Sequence, residues 1–541
     1  MRFTDYLLFT SLLPLAALAE NAPAPVDQHE LNRLVTEGAA GEAFLHAFEA
    51  GDKLSEVSFD ASRGIGANIG EGRRFTRFPR ADLNGPTEWA SHFPKREGGA
   101  NATSCIACHN APFANGAGDV ALNAVVDPGH TGDPTQYLER NTLPLFALGI
   151  PQRLAEEIST ELYAQRDAAK ARACTNGRAS AVLRAKGVSY GILEMTRATE
   201  TPCTVAIDSS KLSGIDADLV IKPFGWKGNH ATIRAFTRGA AHNELGLQAV
   251  ELVGDQDGDF DGVINELSVG DMTALTIYMA GLERPVSTLE LADLGLMDLT
   301  AKARAEIRAG ELLFGKARCT SCHVPAMTLT DPTFREPSQV RGFYDAMFPD
   351  GSDPATRGLI RASAIAFDLT ADQPKNRIER ANGALHRLGA VERTPEGVAV
   401  ARWFSDFKRH DMGEALADPD DPLGLGAAMF LTRSLAGVAS TGPWLHDGRA
   451  TTLADAIAAH GGAAAASAAL YAGMSADEQD RIIAFLESLV MYQGEFPLTA
   501  GKPATAGKSA RIETILKYFQ QVINYPWATY SQLMSNHLSG R

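Results

Sequence analysis

Cys105-Ile106-Ala107-Cys108-His109 and Cys319-Thr320-Ser321-Cys322-His323 are the two stretches that decide how this sequence is read. Each is a C-x-x-C-H pentad, the attachment signal for c-type haem. Two thiols separated by two residues on a helical turn reach both vinyl groups of one porphyrin. The adjacent imidazole is then directed at the iron as proximal ligand. A zinc site would need the two C-x-x-C pairs close together, and these begin 214 residues apart. A thioredoxin-type redox pair does not require the histidine. Cys105, Cys108, Cys319 and Cys322 are therefore predicted to bind two covalent haem c groups, with His109 and His323 on the irons.

Helical apolar spacing surrounds both pentads. Ala301 to Lys316 leads into the second, with Ile307, Leu312, Leu313 and Phe314 on one face. Ala476 to Met491 carries Ile482, Ile483, Phe485, Leu486 and Leu489 at the same spacing, and Met272 to Leu282 serves the first half. A helix entering C-x-x-C-H and a later apolar helix packed across it form the minimal cytochrome c plan. The expected fold is thus mainly α, with two cytochrome c-like haem domains, 20–285 and 286–500, and a boundary near Arg284-Pro285-Val286. A tail, 501–541, follows; its Ile512, Ile515, Leu516 and Phe519 read as a docking helix.

Within the first domain, Ala181-Val182-Leu183 and Ser189 to Leu193 flank Gly187 and predict a small β-hairpin insertion. Cys174 and Cys203 stand on either side of it. An even remainder of cysteines in an oxidising compartment predicts a disulfide closing a loop of about 30 residues; two free thiols are the alternative.

The chain has 541 residues, enough for two to four domains. With 45% apolar and 21% charged residues it has an ordinary globular balance. Lys and Arg total 50 against 65 Asp and Glu, a net charge of −15, which argues against nucleic acid or an anionic membrane as partner. Arg2, the apolar run Tyr6 to Leu18 broken by Pro14, and Ala17-Leu18-Ala19 read as a signal peptide over 1–19, cleaved after Ala19. The run is shorter than the roughly 20 residues a spanning helix needs, although an uncleaved anchor is the alternative. The mature chain shows no membrane span and is expected in the periplasm, which suits haem attachment outside the cytoplasm.

Asp257, Asp259 and Asp261 occupy positions 1, 3 and 5 of an EF-hand-type loop, with Gly262 at 6 and Ile264 at 8. Position 12 is Ser268 instead of the bidentate Glu; Asp255 or Glu266 would have to supply that oxygen. Bound calcium and a solvated acidic turn are both compatible with this loop.

The second axial ligand emerges from comparing the halves. Leu453 to His460 aligns without gaps with Leu154 to Glu161 at an offset of 299. His460, before the Gly461-Gly462 break, is therefore predicted as sixth ligand of the second iron. The first iron receives Glu157 and Glu161 instead, one helical turn apart. A carboxylate is a weak haem ligand but a useful acid–base, so these two are the predicted catalytic residues. His130, His230 and His242 are other possible distal groups, each more simply read as structural.

The order of motifs resembles the bacterial di-haem cytochrome c peroxidase superfamily, and within it the di-haem oxidoreductase branch. The stretches that carry the resemblance are Cys105 to His109, Arg140 to Ile158, Ala185 to Gly191, Lys222 to Gly228, Asn243 to Gly246, Cys319 to His323, Phe407 to Gly413 and Thr441 to His460. The resemblance implies that the C-terminal haem transfers electrons and the N-terminal haem reacts with peroxide or dioxygen. It also implies a redox partner protein or small electron donor. Family members usually place Met where His460 stands, and histidine there implies a lower potential. The family places glutamine at the position of Glu157. Its inter-haem tryptophan is replaced here by Ile150-Pro151, with Trp226 or Trp444 as substitutes. A non-catalytic di-haem electron-transfer cytochrome is the rival reading.

Overall fold

The computed structural model describes residues 23–66, 92–97, 101–371, 374, 377–379, 385–387, 391–419 and 421–492. The signal peptide over 1–19 and the tail helix over 501–541 lie outside the described residues.

Ser268 begins the central helix, Val269–Gly281. Its hydroxyl accepts the N–H of Asp271 at 3.0 Å while the Asp271 carboxylate accepts the N–H of Ser268 at 2.8 Å, a capping box that satisfies two otherwise orphaned donors. The helix is buried along its whole length because Met272, Leu275, Ile277, Tyr278 and Met279 cover it on all sides. Helix Ala40–Glu56 crosses it closely; at Gly51 a Cβ would collide with the Ala274 carbonyl, so only glycine permits this approach. In the second half, helix Ala301–Lys316 packs on helix Ala476–Glu487, and Gly310 makes the same close approach to the backbone at Arg481.

The mainly α expectation is corrected by the strands. Among the described residues sixteen short strands form seven small sheets. The predicted hairpin is a three-stranded antiparallel sheet of Arg178–Ala185, Val188–Glu200 and Cys203–Leu212. Its first turn runs through Lys186 and Gly187, both at positive φ. The second half contributes antiparallel ribbons: Met327–Leu329 with Ala399–Ala401, Thr333–Glu336 with Ile365–Asp368, and Arg409–Asp411 with Met429–Leu431. Three- and four-residue strands paired across long loops leave no period for a sequence pattern to reveal. The two-cytochrome plan omits them for that reason. Cys174 and Cys203 are bonded to each other, with Cα atoms 6.0 Å apart, and fasten the end of helix Gly149–Asn176 to the sheet.

The described residues before Leu291 and after Asp298 gather into one compact unit. Leu291–Asp298 are assigned to a second unit; there the Leu296 N–H donates to the Leu291 carbonyl at 2.8 Å. In the large unit one apolar cluster joins Leu154, Ile158, Tyr190 and Ile277 to Phe334, Phe343, Ile365 and Ala399 from the second half. A smaller cluster of Ile307, Phe314, Phe404, Ile482 and Phe485 surrounds the second pentad. Buried charges also cross between the halves. Arg234 pairs with Glu251 and, at 2.7 Å, with Glu336, while Arg238 pairs with Glu251 at 2.6 Å and Asp345 at 3.0 Å. Such pairs repay their desolvation only in one geometry, so they specify how the halves fit more than they stabilise them.

No helix among the described residues is long and apolar enough to cross a membrane.

Candidate functional site

Arg318, at φ +62°, ends the helix Ala301–Lys316 and turns the chain into the single turn Cys319–Ser321. His323 follows, its N–H donating to the Cys319 carbonyl at 2.9 Å. The Nδ1 of its ring lies 3.2 Å from the Phe404 carbonyl. A carbonyl only accepts, so Nδ1 carries the proton and Nε2 is left as the ligating nitrogen. Thr452 caps helix Leu453–Ala458 by accepting the Asp455 N–H at 3.0 Å, and the helix stops two residues before His460. The His460 Nδ1 lies 2.6 Å from the Ala456 carbonyl, which fixes the same tautomer there.

The two rings face each other with centres 6.4 Å apart and planes 55° apart. Two imidazoles bonded to opposite sides of one metal at roughly 2 Å, each ring centre about 1.1 Å behind its nitrogen, have centres about 6 Å apart. The observed gap fits one iron between them. Burial pushes the His323 imidazole down to about 4 and lowers that of His460, so both are neutral at physiological pH, as metal ligation requires. They open on a cavity of about 260 Å³ walled by Phe314, Trp403, Trp444, Ile457 and Leu486. This space, beside two half-buried thiols, suits a flat apolar group attached through Cys319 and Cys322.

Two further histidines on this wall were not singled out by sequence. His410 has Nε2 2.8 Å from the Asp406 carboxylate. Burial alone would lower it, but Asp406 and the neighbouring Cys322 thiol push it up to about 9. His446 stacks on Phe430 with ring centres 4.4 Å apart, and burial pushes it down to about 4. Both lie in runs that sequence reading had marked, Phe407 to Gly413 and Thr441 to His460, without assigning them a role.

The first pentad has the same local form. Cys105–Ala107 make one turn, the His109 N–H donates to the Cys105 carbonyl at 3.0 Å, and its Nδ1 lies 3.3 Å from the Gly116 carbonyl. Burial pushes this imidazole down to about 4, against the Leu143 and Gly116 carbonyls. Burial also pushes the Cys105 and Cys319 thiols up to about 11, which favours their protonated form at neutral pH.

Glu157 and Glu161 have other partners. The Glu157 carboxylate accepts the backbone N–H groups of Thr330 at 2.9 Å and Asp331 at 2.8 Å, and the Lys186 ammonium at 2.5 Å. Glu161 is more exposed and lies 3.4 Å from the same lysine. The aligned octads diverge because the first continues unbroken in the helix to Asn176, whereas the second stops at Ala458. His242 turns to the Pro94 carbonyl at 3.2 Å, His230 packs edge-on against Phe236, and His130 lies beside Asp127. A carboxyl that the sequence reading did not select, Glu244, lies in the π turn Ala241–Leu245, a backbone form common at functional sites. Its carbonyl accepts the Asn101 and Ala102 N–H groups just before the first pentad. Burial pushes its carboxyl up to about 7, against a hydrogen bond with Asn101.

Asp257, Asp259 and Asp261 come together, with one oxygen of each within 4.8 Å of the others. Asp257 accepts the Gly262 N–H at 2.9 Å, Asp261 accepts the Val263 N–H at 2.7 Å, and Asp259 pairs with buried Arg96 at 2.5 Å. Glu266 is buried nearby and accepts the Gln248 N–H at 2.6 Å.

Among known proteins, the family described as "Di-haem oxidoreductase, putative peroxidase" matches residues 398–489. No curated protein matches. Among solved structures, a chain of hydrazine synthase from Kuenenia stuttgartiensis is 21% identical over 41% of this chain, with a TM-score of 0.18. The match spans 56% of that chain's length. A MauG-like protein associated with microbial copper homeostasis is 16% identical over 63% of this chain and 87% of its own, with a TM-score of 0.24. Likeness at these scores carries no argument. The matched segment contains Trp403, His410, Arg433, His446 and His460, much of the wall opposite His323, and over residues 398–489 this chain is similar to the di-haem oxidoreductase family.

Proposed function

We propose that this chain is an exported, periplasmic di-haem c-type oxidoreductase of peroxidase-like activity. The observation that carries the reading is the pair of neutral imidazoles, His323 and His460, facing each other across 6.4 Å beside a C-x-x-C-H turn. Haem supplies one-electron transfer and, where an axial place is open, the reduction of peroxide or dioxygen. In the proposed roles, Cys319 and Cys322 would tether the second group, and His323 and His460 would ligate its iron. That makes the second site an electron carrier that excludes small ligands. Cys105 and Cys108 tether the first group and His109 holds it from one side. The counterpart of His460 in the first half is Glu161, which turns to Lys186. A first group held by His109 alone would leave room for an oxidant to reach it.

Delivering a proton to a leaving oxygen needs a carboxyl that keeps its proton near neutrality. Glu157 and Glu161 are the proposed acid–base pair, with Glu157 already hydrogen-bonded to Lys186, Thr330 and Asp331; Glu244, whose carboxyl burial pushes up to about 7, is a further proposed donor. Asp257, Asp259 and Asp261, with Glu266 behind them, are proposed to hold calcium, with Arg96 already offsetting part of their charge. The test is ferric EPR and haem counting on the purified holoprotein, followed by steady-state turnover with peroxide and an electron donor. Two haems, one high-spin and one low-spin, with turnover are expected. Two low-spin haems without turnover would make the chain an electron-transfer cytochrome.

A further inference from the structure

The cavity beside His323 and His460 has a lopsided charge. Its charged and titratable walls are Arg318, Arg433, the thiols of Cys319 and Cys322 and the histidines 323, 410, 446 and 460, and no Asp or Glu lines it among the described residues. Arg433 is the most exacting of these groups. Its Nη1 donates to the Gly225 carbonyl at 3.2 Å and weakly to that of Pro223 at 3.5 Å, and its guanidinium lies over the Trp226 ring at 5.6 Å. Its Nε is buried and meets no hydrogen-bond partner among the described residues, and no carboxylate there pairs with it. Burial pushes the guanidinium down to about 10 with no acid opposing the change.

A buried cation without a counter-ion costs several kcal/mol, and natural chains rarely leave one so. Two buried or half-buried cations outside the cavity wall, Arg140 and Lys227, by contrast both pair with Asp418 at 3.0 Å. The edge of Arg433 left over, Nε with Nη2, is the side on which a guanidinium grips a carboxylate through two parallel N–H bonds. The missing anion must therefore enter with whatever fills the cavity. Haem c brings two propionate carboxylates.

We propose that Arg433 clamps a propionate of the haem held by His323 and His460, and so keeps that haem readily reducible. The inference rests on the haem reading above. Each electron added to the haem adds negative charge, and the guanidinium offsets the propionate that would oppose it. Without Arg433 the uncompensated carboxylate disfavours reduction.

The experiment uses the purified holoprotein. Mass spectrometry and ferric EPR first establish two covalent haems and a low-spin centre; their absence would fail the haem reading and leave Arg433 without a guest. Potentiometric titration of Arg433→Gln, with both haems retained, is then expected to show about a tenfold smaller equilibrium constant for reducing the low-spin haem, or 59 mV for one electron. Arg433→Lys, which keeps a charge but loses the fork, should keep more than half of that potential. An Arg433→Gln potential equal to that of the unsubstituted protein, across neutral pH, overturns the proposal. If Arg433→Gln does not hold its second haem, redox-difference infrared spectra of the unsubstituted protein decide, with the propionate carbons labelled. Bands of a bidentate ion-paired carboxylate support the clamp, and bands of two free hydrated propionates overturn it.

Discussion

Replacing His460 by glycine tests the proposed electron-carrying site most directly. Its ring is positioned by one contact on its far side, the Ala456 carbonyl 2.6 Å from Nδ1, and it stands beyond the end of its helix. Removing it therefore deletes a ligand without deleting a helical residue or a core side chain. The size of the effect follows from the arrangement. Among the described residues the second pentad alone has an imidazole opposite its own, 6.4 Å away, so about one low-spin iron per chain should become high-spin or water-ligated, and haem content should stay at two. The deletion also leaves a hole shaped for imidazole. Millimolar free imidazole should refill it and restore the low-spin signal, although less tightly than the tethered ring, because the Ala456 contact that orients His460 is no longer pre-formed and such contacts are worth about 10–100-fold in affinity. The assay is quantitative EPR at low temperature with a parallel optical spectrum. An unchanged low-spin intensity in His460→Gly would refute the ligand assignment. The second ligand would then have to be sought among Met412, His410 and His446 on the same wall.

Four more expectations have smaller scope. Reducing the Cys174–Cys203 bond, whose partners are 29 residues apart, should cost about 3–4 kcal/mol by the chain-entropy relation; denaturant melts of Cys174→Ser/Cys203→Ser losing under 1 kcal/mol would contradict it. Chelation should lower the melting temperature and added calcium should restore it if Asp257, Asp259 and Asp261 hold the ion, whereas a curve indifferent to chelator favours the Arg96-paired acidic turn. Glu244 is raised in the folded state from 4.5 to about 7, so the folded state binds the extra proton; its stabilising contribution is full below pH 4.5 and is lost as pH rises through about 7. Glu244→Gln should remove that decline between the two values, measured as the difference in unfolding free energy from the unsubstituted protein. Glu157→Gln should lower stability by about 1–3 kcal/mol by weakening the clamp on Thr330, Asp331 and Lys186. Peroxide reactivity lost in Glu157→Gln with no change in melting would show that the clamp is not its role.

What was legible in the sequence was what is local. The pentads, the helix Ala301–Lys316, the helix beginning after Ser475 and the turn at Lys186-Gly187 depend on residues within a few positions of each other. What was missed depends on residues far apart. Thr330 and Asp331 reach Glu157 across more than 170 positions and give the proposed acid–base two backbone donors that no local pattern shows. The third strand, Cys203–Leu212, has few buried side chains, so it shows no alternation to detect. The two octads continue differently for a local reason that the sequence does display: Gly461-Gly462 breaks the helix near His460, and no glycine follows Glu161 until Gly177. Arg433 had a signal too, a lone cation between Thr432 and Ser434 in a stretch otherwise apolar from Met429 to Leu435.

The two pentads share a wall, and that bears on how the proposed sites would communicate. Asn141 to Leu148 line the cavity of the second site. The same stretch presents the Leu143 carbonyl to His109, and the Thr142 carbonyl accepts the Gly118 N–H beside the first pentad. Trp226 is pinned to this wall by its Nε1–H, which donates to the Asn141 carbonyl at 2.9 Å, and Asn141 in turn donates to the His446 carbonyl at 2.6 Å. Both faces of the wall belong to one compact unit, closed by the buried Arg234, Glu251 and Glu336 cluster. A hinge between separate cytochrome domains would let the distance between the sites vary. A shared wall with a packed core behind it fixes that distance, so passage of an electron from one site to the other would not wait on a domain motion.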